Sequence, residues 1–317
     1  MRALVVGYGS IGQRHARLLA EHGLSVAVVS RRVCVHPESY GDLLLALDDW
    51  QPDYVVIASR THEHHDDLSR LAAAGFSGLV LVEKPLFHGA LPIPENQFRR
   101  AYVAFNLRFH PVTQTLRATV DGRKKLAAHA YVGQHLPDWR PNQDYRASYS
   151  ANREAGGGVL RDLCHELDYL NWILGEWEEV TALGGQFSQL EIDSDDVYSV
   201  LFRTTDCPVA SVAFNYLDDR LHRDVIILTD EGTARADFVA GTVTFESEVV
   251  ELQNICRDST YQAQHSAILS NDDTVLCSLE DGWNIVHMID AAETANRAGA
   301  WVQRQAQLPN YSGTLKT

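Results

Sequence analysis

A doubly wound α/β domain followed by an α+β domain with an open, mainly antiparallel sheet is the fold class that this sequence predicts. Three observations carry it: apolar runs alternating with helical stretches between Ala3 and Val82, a glycine turn within the first dozen residues, and a succession of β-rich runs from Val197 to Glu246. The chain has 317 residues, and at about 150 residues per domain that length suggests two domains. The predicted division is residues 1–105 and 106–317.

Ala3 to Gly7 is an apolar run ending in glycine, and Ile11 to Glu21 carries apolar residues at helical spacing until Gly23 stops it. Ser25–Val29, Tyr54–Ala58 and Leu79–Val82 read as further strands, with helices at Asp42–Asp49 and His64–Ala74. Pro92 and Pro94 break up Phe87–Arg100, so a short irregular crossover is expected before a strand at Tyr102–Phe105. Beyond Asn106 the pattern predicts a helix from Pro111, a strand at Leu126–Val132, a polar loop to Glu154 and one helix from Gly158 to Leu174. Val197–Arg203, Val209–Tyr216, Asp224–Thr229, Thr233–Phe238 and Val243–Glu246 are β-rich runs separated by turn residues, and a helix at Asp281–Ala298 closes the domain.

Composition excludes several function classes. The 27 basic residues against 42 acidic ones leave a net charge of -15, which repels nucleic acid and anionic membrane. No apolar run approaches the roughly 20 residues of a membrane helix, and the start lacks a signal-peptide pattern, so a soluble cytoplasmic protein is expected. Five cysteines, an odd number with no CxxC, fit reduced thiols better than disulfides or a zinc site.

Gly7-Tyr8-Gly9-Ser10-Ile11-Gly12 is GxGxxG between a strand and a helix, the context of a dinucleotide-binding Rossmann domain. Gly7 makes the turn, Gly9 admits the pyrophosphate, Gly12 allows close packing, and the N–H groups from Ser10 and Ile11 onward face the phosphates. The second strand ends in Ser30-Arg31-Arg32 instead of an acidic residue, which favours NADP(H) over NAD(H). Glu83-Lys84-Pro85 lies at the carboxyl end of a parallel strand, where open α/β sheets bind ligands. On the helix after Gly156-Gly157-Gly158, Asp162 and His165 are i, i+3 and share a face, so Asp162 can orient a histidine that moves a proton. The run His62-Glu63-His64-His65 resembles metal ligands, but one tetrapeptide is too narrow a constellation and no metal site is assigned. Trp172, Trp177 and Trp283 read as core or interface aromatics.

Val82-Glu83-Lys84-Pro85-Leu86, Phe105-Asn106-Leu107-Arg108-Phe109-His110-Pro111, Gly156 to Asp162, Asp195-Asp196-Val197 and Gly282 to Val302, in that order, resemble landmarks of the Gfo/Idh/MocA oxidoreductases. The resemblance implies a nicotinamide-dependent enzyme in which Lys84 contacts the nicotinamide ribose and the reacting hydroxyl, and it allows a cis peptide before Pro85. It implies further cofactor contacts from Ser59, Thr61, His64 and Glu83, substrate contacts from Asn106 and Arg108, and a homodimer or homotetramer through the second sheet. The family's commoner pattern places Asp and His at i, i+4, where this chain has Glu166, so Glu166 competes with His165 for the proton-carrying role.

The loop from Gly133 to Arg146 looks like a subgroup associated with surface-polysaccharide and nonulosonic-acid sugars. Its Trp139, Arg140, Tyr145 and Arg146 suit a sugar's apolar face and its carboxylate or phosphate groups. The expected function is hydride transfer between nicotinamide and a secondary alcohol or ketone of a sugar, sugar nucleotide or cyclitol. The alternatives are a non-catalytic NADP-binding sensor and a family member reducing a non-sugar substrate.

Overall fold

A computed structural model describes residues 1–139, 143–253 and 255–305. In chain order the elements are β1 (Arg2–Val6), α1 (Ser10–Glu21), β2 (Ser25–Val29), β3 (Ser39–Tyr40), α2 (Leu43–Trp50), β4 (Tyr54–Ile57), α3 (His64–Ala73), β5 (Leu79–Val82) and β6 (Arg100–Val103). There follow α4 (Pro111–Val120), β7 (Lys125–Gly133), α5 (Val159–Asp162), α6 (His165–Leu174), β8 (Trp177–Gly185), β9 (Val197–Thr204), β10 (Ala210–Asn215), β11 (His222–Thr229), β12 (Gly232–Asp237), β13 (Thr242–Phe245) and β14 (Glu248–Glu251). The chain ends with α7 (Ser259–Ser270), β15 (Cys277–Ser278), α8 (Leu279–Ala298) and β16 (Val302–Gln303).

Two compact units divide this chain, the first holding residues 1–106 and 261–286 and the second 107–260 and 287–305. The sequence places everything after Asn106 in one domain, whereas residues 261–286 cluster with the first unit. The reason is a strand: β15 pairs antiparallel with β6 and extends the first sheet. That sheet runs β15-β6-β5-β4-β1-β2-β3, and β1 to β6 are parallel. Its centre is fully buried, since every residue of β4 and β5 is covered and all but Tyr54 are aliphatic, as a parallel sheet with helices on both faces requires.

The second sheet runs β14-β13-β12-β11-β7-β10-β9-β8-β16. Every neighbouring pair is antiparallel except β7 with β10. Alternation along β9 buries Tyr198, Val200, Phe202 and Thr204 and leaves Ser199, Leu201 and Arg203 outside, the two-residue period of a sheet with one covered face.

One expectation fails locally, and one strand was not foreseen. The single helix expected from Gly158 to Leu174 is two pieces, α5 and α6, separated at Leu163 and Cys164. Strand β8 is not legible in the sequence because a register shift between Trp177 and Glu179 breaks the alternation.

Candidate active site

The carboxyl edge of the first sheet is built by register. Val29 pairs with Val6, Val6 with Ile57, Ile57 with Val82 and Val82 with Val103, so one row of residues crosses five strands. The next residue of each strand donates along the same edge, Gly7 N–H to Val29, Ala58 to Val6, Glu83 to Ile57 and Ala104 to Val82. Ser30, Gly7, Ala58 and Glu83 therefore stand in one line, and ligands of open α/β sheets bind at this end.

Within the glycine turn each position has its own reason. Gly7 has φ +93°, and a Cβ there would come to 2.5 Å from Ala58 O. A Cβ on Gly12 would overlap Gly7 O, so helix and strand touch only because both residues are glycine. Gly9 is different: a Cβ built on it meets nothing within 4 Å, and it caps α1 without a side-chain hydrogen bond. The first N–H groups of α1 are thus left for a ligand, the arrangement that binds dinucleotide phosphates.

At the end of β2, the Ser30 hydroxyl donates to Arg32 O at 2.8 Å and accepts from Arg32 N–H at 3.2 Å. Arg31, expected to meet a 2'-phosphate, is instead paired with Glu63. Burial pushes the Glu63 carboxyl up, but the Arg31 guanidinium and the Arg60 N–H bring it below the ordinary carboxylate range. Half of the positive charge read from the sequence is therefore neutralised by a carboxylate from the turn after β4.

That turn also places Ser59, Thr61 and His64. Ser59 donates to Asp67 Oδ2 at 2.6 Å, and Thr61 is buried at the start of a 3-10 turn. His64, expected to line the cofactor pocket, is buried, with Nδ1 at 3.1 Å from Pro85 O and 3.2 Å from Leu86 O and Nε2 at 3.2 Å from Ser59 O. Burial holds this ring below the ordinary histidine range, so as a neutral ring it donates to one side at a time and ties the two turns together. His65 reaches Pro92 O and His62 lies beside Glu63, so the run of histidines serves separate partners. No group of metal-holding side chains occurs among the described residues.

Lys84 is half-buried and its peptide bond to Pro85 is cis. Glu83, expected to contact the cofactor, is 7% exposed, with its Oε1 held by His15 Nε2 at 2.8 Å and its Oε2 by Lys84 N–H at 3.1 Å.

In the second unit, the triple glycine is filled by the protein itself. A Cβ on Gly157 would overlap Tyr149 O, and Gly158, at φ +119°, packs against the Asp195 carboxylate. Asp195 caps α5, its Oδ2 accepting from Leu160 N–H and its carbonyl from Val159 N–H, both at 3.0 Å. Asp162 is buried and accepts from the Tyr216 hydroxyl at 2.7 Å. His165 opens α6 and is half-exposed, whereas Glu166 is fully buried with Arg223 Nε 2.8 Å from its Oε1.

These features now meet the comparisons with known proteins. Residues 1–91 match the model of the oxidoreductase family with an NAD-binding Rossmann fold, and residues 114–235 match the GFO/IDH/MocA C-terminal domain. The chain belongs to the GFO/IDH/MocA family. Among solved structures it is similar to GenD2 from gentamicin A biosynthesis in complex with NAD, at 22% identity and TM-score 0.78 over 96% of this chain and 97% of that one. Levoglucosan dehydrogenase in complex with NADH and L-sorbose aligns at 18% identity and TM-score 0.80, over 96% and 98%. The WlbA dehydrogenase of Bordetella pertussis, in complex with NADH and UDP-GlcNAcA, aligns at 18% and TM-score 0.75, over 96% and 99%. No curated protein sequence matches the chain. As a GFO/IDH/MocA protein it is an NAD-binding oxidoreductase, and among the described residues no helix is long and apolar enough to cross a membrane.

Two substrate residues expected of this GFO/IDH/MocA chain have other partners. Arg108 is 4% exposed and grips Asp168 through Nε at 3.0 and 3.1 Å and Nη2 at 2.7 Å, a desolvated pair flanked by Trp172. Arg146 is exposed but paired with Asp144 and Glu191, while the Tyr145 hydroxyl accepts from Glu191 N–H. Both residues fasten their loop to the segment before Asp195. Asn106 is buried, and Arg140 lies outside the described residues. Trp139 packs edge-on against Tyr216 with ring centroids 5.3 Å apart, and the Tyr216 hydroxyl in turn donates to Asp162.

Sequence reasoning missed Glu63 and Tyr216. Nothing in the local pattern marks either, because each acquires its partner through the turn after β4 or the end of β10. A signal did exist for His15: a histidine among the buried apolar positions of α1 is a polar group that needs a partner.

Proposed function

We propose that this protein is an NAD(P)-dependent dehydrogenase or reductase acting on a secondary alcohol or ketone of a sugar, sugar nucleotide or cyclitol. The supporting observation is the register row at the carboxyl edge of the first sheet, which lines Ser30, the open Gly9 turn and the Glu83-Lys84 turn along one edge. When bound, the nicotinamide supplies or accepts the hydride. The start of α1 holds the diphosphate and Ser30 to Arg32 the adenosine ribose. Lys84 donates a hydrogen bond that polarises the reacting oxygen. His165 takes the hydroxyl proton during oxidation and returns it during reduction, a role suited to an imidazole. Glu166 is the weaker candidate because its carboxylate is committed to Arg223. Asp162, held at the end of α5 by the Tyr216 hydroxyl, orients the histidine.

The Arg31–Glu63 pair favours NAD(H) as the working cofactor, since a 2'-phosphate would have to displace a carboxylate from the guanidinium. Exposed Tyr131, Leu183, Leu201 and Leu228 lie on one face of the second sheet and suit self-association into a homodimer or homotetramer, checked by light scattering. The decisive experiment is a fluorescence titration with NADH and NADPH, followed by nucleotide sugars, free sugars and cyclitols watched at the nicotinamide absorbance. Turnover is expected with at least one sugar, and Lys84→Ala and His165→Ala should each remove it while keeping NADH affinity. Binding of neither nucleotide would overturn the reading.

A further inference from the structure

The Glu83-Lys84-Pro85 turn is anchored by more buried polar side chains than a packed core needs. His15 on α1, Tyr54 on β4 and His265 on α7 are each 0% exposed and belong to the first unit together with Glu83. Their contacts form one line: Glu83 Oε1 to His15 Nε2 at 2.8 Å, His15 Nδ1 to His265 Nε2 at 2.9 Å, and His265 Nδ1 to the Tyr54 hydroxyl at 3.0 Å. At the other end, Glu83 Oε2 accepts the Lys84 N–H. Apolar side chains at these positions would avoid the cost of desolvating a phenol and two imidazoles, so the line asks for a function.

Proton counting fixes its direction. Burial works against the Glu83 charge, but His15 and Lys84 outweigh it and hold the carboxyl below its ordinary range, so both oxygens accept. His15 Nε2 must then donate. Burial, with His15 and His22 beside it, keeps His265 neutral and therefore with a single N–H. When His15 is neutral its Nδ1 accepts from His265 Nε2–H, and His265 Nδ1 accepts from the Tyr54 O–H. A proton added to His15 reverses both distal bonds and breaks none. The other titratable or charged groups facing the line are Lys84 and His64 near Glu83, His22 and Tyr261 beside the histidines, Arg14 over Tyr261, and Tyr102 near Tyr54.

We infer that Tyr54, His265 and His15 are positioning residues which lock the Glu83 carboxylate onto the Lys84 main chain and keep a fixed negative charge beside the Lys84 ammonium. The inference rests on the reading of Lys84 as the group that polarises the reacting oxygen. It also gives residues 261–286 a task at the cofactor edge, because His265 comes from that segment.

Lys84 is one of four lysines in the chain, with Lys124, Lys125 and Lys316, so its signal is easily assigned after reductive 13C-methylation. The titration midpoint of Lys84 is followed by NMR in the protein without cofactor, with Lys84→Arg for assignment. Glu83→Gln and His15→Phe should each lower the midpoint by about one pH unit, as expected on losing a neighbouring opposite charge or the bond that holds it. His15→Gln, which puts an amide donor near the place of Nε2, should restore it. Equal midpoints in the parent, His15→Phe and Glu83→Gln would overturn the inference and leave a packing role.

If His15→Phe does not fold, histidine 15N shifts of the parent and Tyr54→Phe decide instead. The Nε2–H tautomer is expected at both His15 and His265 in the parent at alkaline pH, and His265 should keep it in Tyr54→Phe, because His15 Nδ1 still accepts from it. An Nδ1–H tautomer at His265 in the alkaline parent would overturn the direction of the relay. None of these readouts needs turnover, so an inactive parent whose Lys84 midpoint still responds to Glu83→Gln and His15→Phe would count against the dehydrogenase reading and leave the relay standing.

Discussion

The two glycine-rich turns of this chain look alike in sequence and do opposite things. Both stand directly before a helix, Gly7 to Gly12 before α1 and Gly156 to Gly158 before α5. In the second turn the space beside the glycines is taken by Tyr149 O and the Asp195 carboxylate, and Asp195 satisfies the first helical N–H groups. In the first turn, Gly7 and Gly12 are equally crowded, but a Cβ on Gly9 would meet nothing within 4 Å, and among the described residues no side-chain bond to the first N–H groups of α1 is seen. On the proposed reading, a glycine turn becomes a ligand site where the protein leaves it unfilled, and the filled second turn is a joint before Asp162 and His165.

The strongest way to break this comparison is Gly9→Asp. The φ of -78° suits any residue and the Cβ has room, so the melting temperature should stay unchanged. A carboxylate in the phosphate site should nevertheless weaken NADH at least about 100-fold, near 3 kcal/mol, measured by fluorescence titration. Retained affinity would mean that the open turn is not the phosphate site. The converse substitution, Gly157→Ala, should cost about 1–3 kcal/mol of stability through overpacking, read by urea denaturation, with the NADH dissociation constant preserved. Asp195→Ala removes the side-chain part of the α5 cap and should cost about 1 kcal/mol by the same measurement.

A smaller effect tests a place where a charge at this edge is paired within the protein. Glu63→Gln frees Arg31, and the ratio of NADPH to NADH affinity should rise several-fold; an unchanged ratio would detach Arg31 from cofactor choice.

The smallest effects are pH-dependent and of opposite sign in the two units. The folded-state pKa of Glu83 lies below the ordinary 4.5, so its ionisation stabilises the fold fully above that pH, and the contribution is lost as pH falls through the lower folded value. Burial raises Asp195 above the ordinary 3.8, so its ionisation costs stability as pH rises past that value. Across acid denaturation series the cost of Glu83→Gln should therefore grow with rising pH, while the cost of Asp195→Asn should shrink.

Much of this protein was determined by its sequence alone. Local signals suffice for β1 to α1, because the glycine spacing and the helical period lie within twenty residues, and for the β-rich runs from β9 to β13, because alternation is a two-residue property. The placement of Lys84 just after β5 was legible too, since its strand and its proline are adjacent to it. Tertiary structure decided what each charged group is paired with. Arg31 meets Glu63, Arg108 meets Asp168 and Arg146 meets Asp144 and Glu191, so three arginines that read as ligand contacts are committed within the protein. It also decided that His265, 250 residues from His15, completes a line to Glu83. Sequence pattern reports which side chains must be buried, whereas the partner of a buried or neutralised charge depends on which distant segment the fold brings beside it.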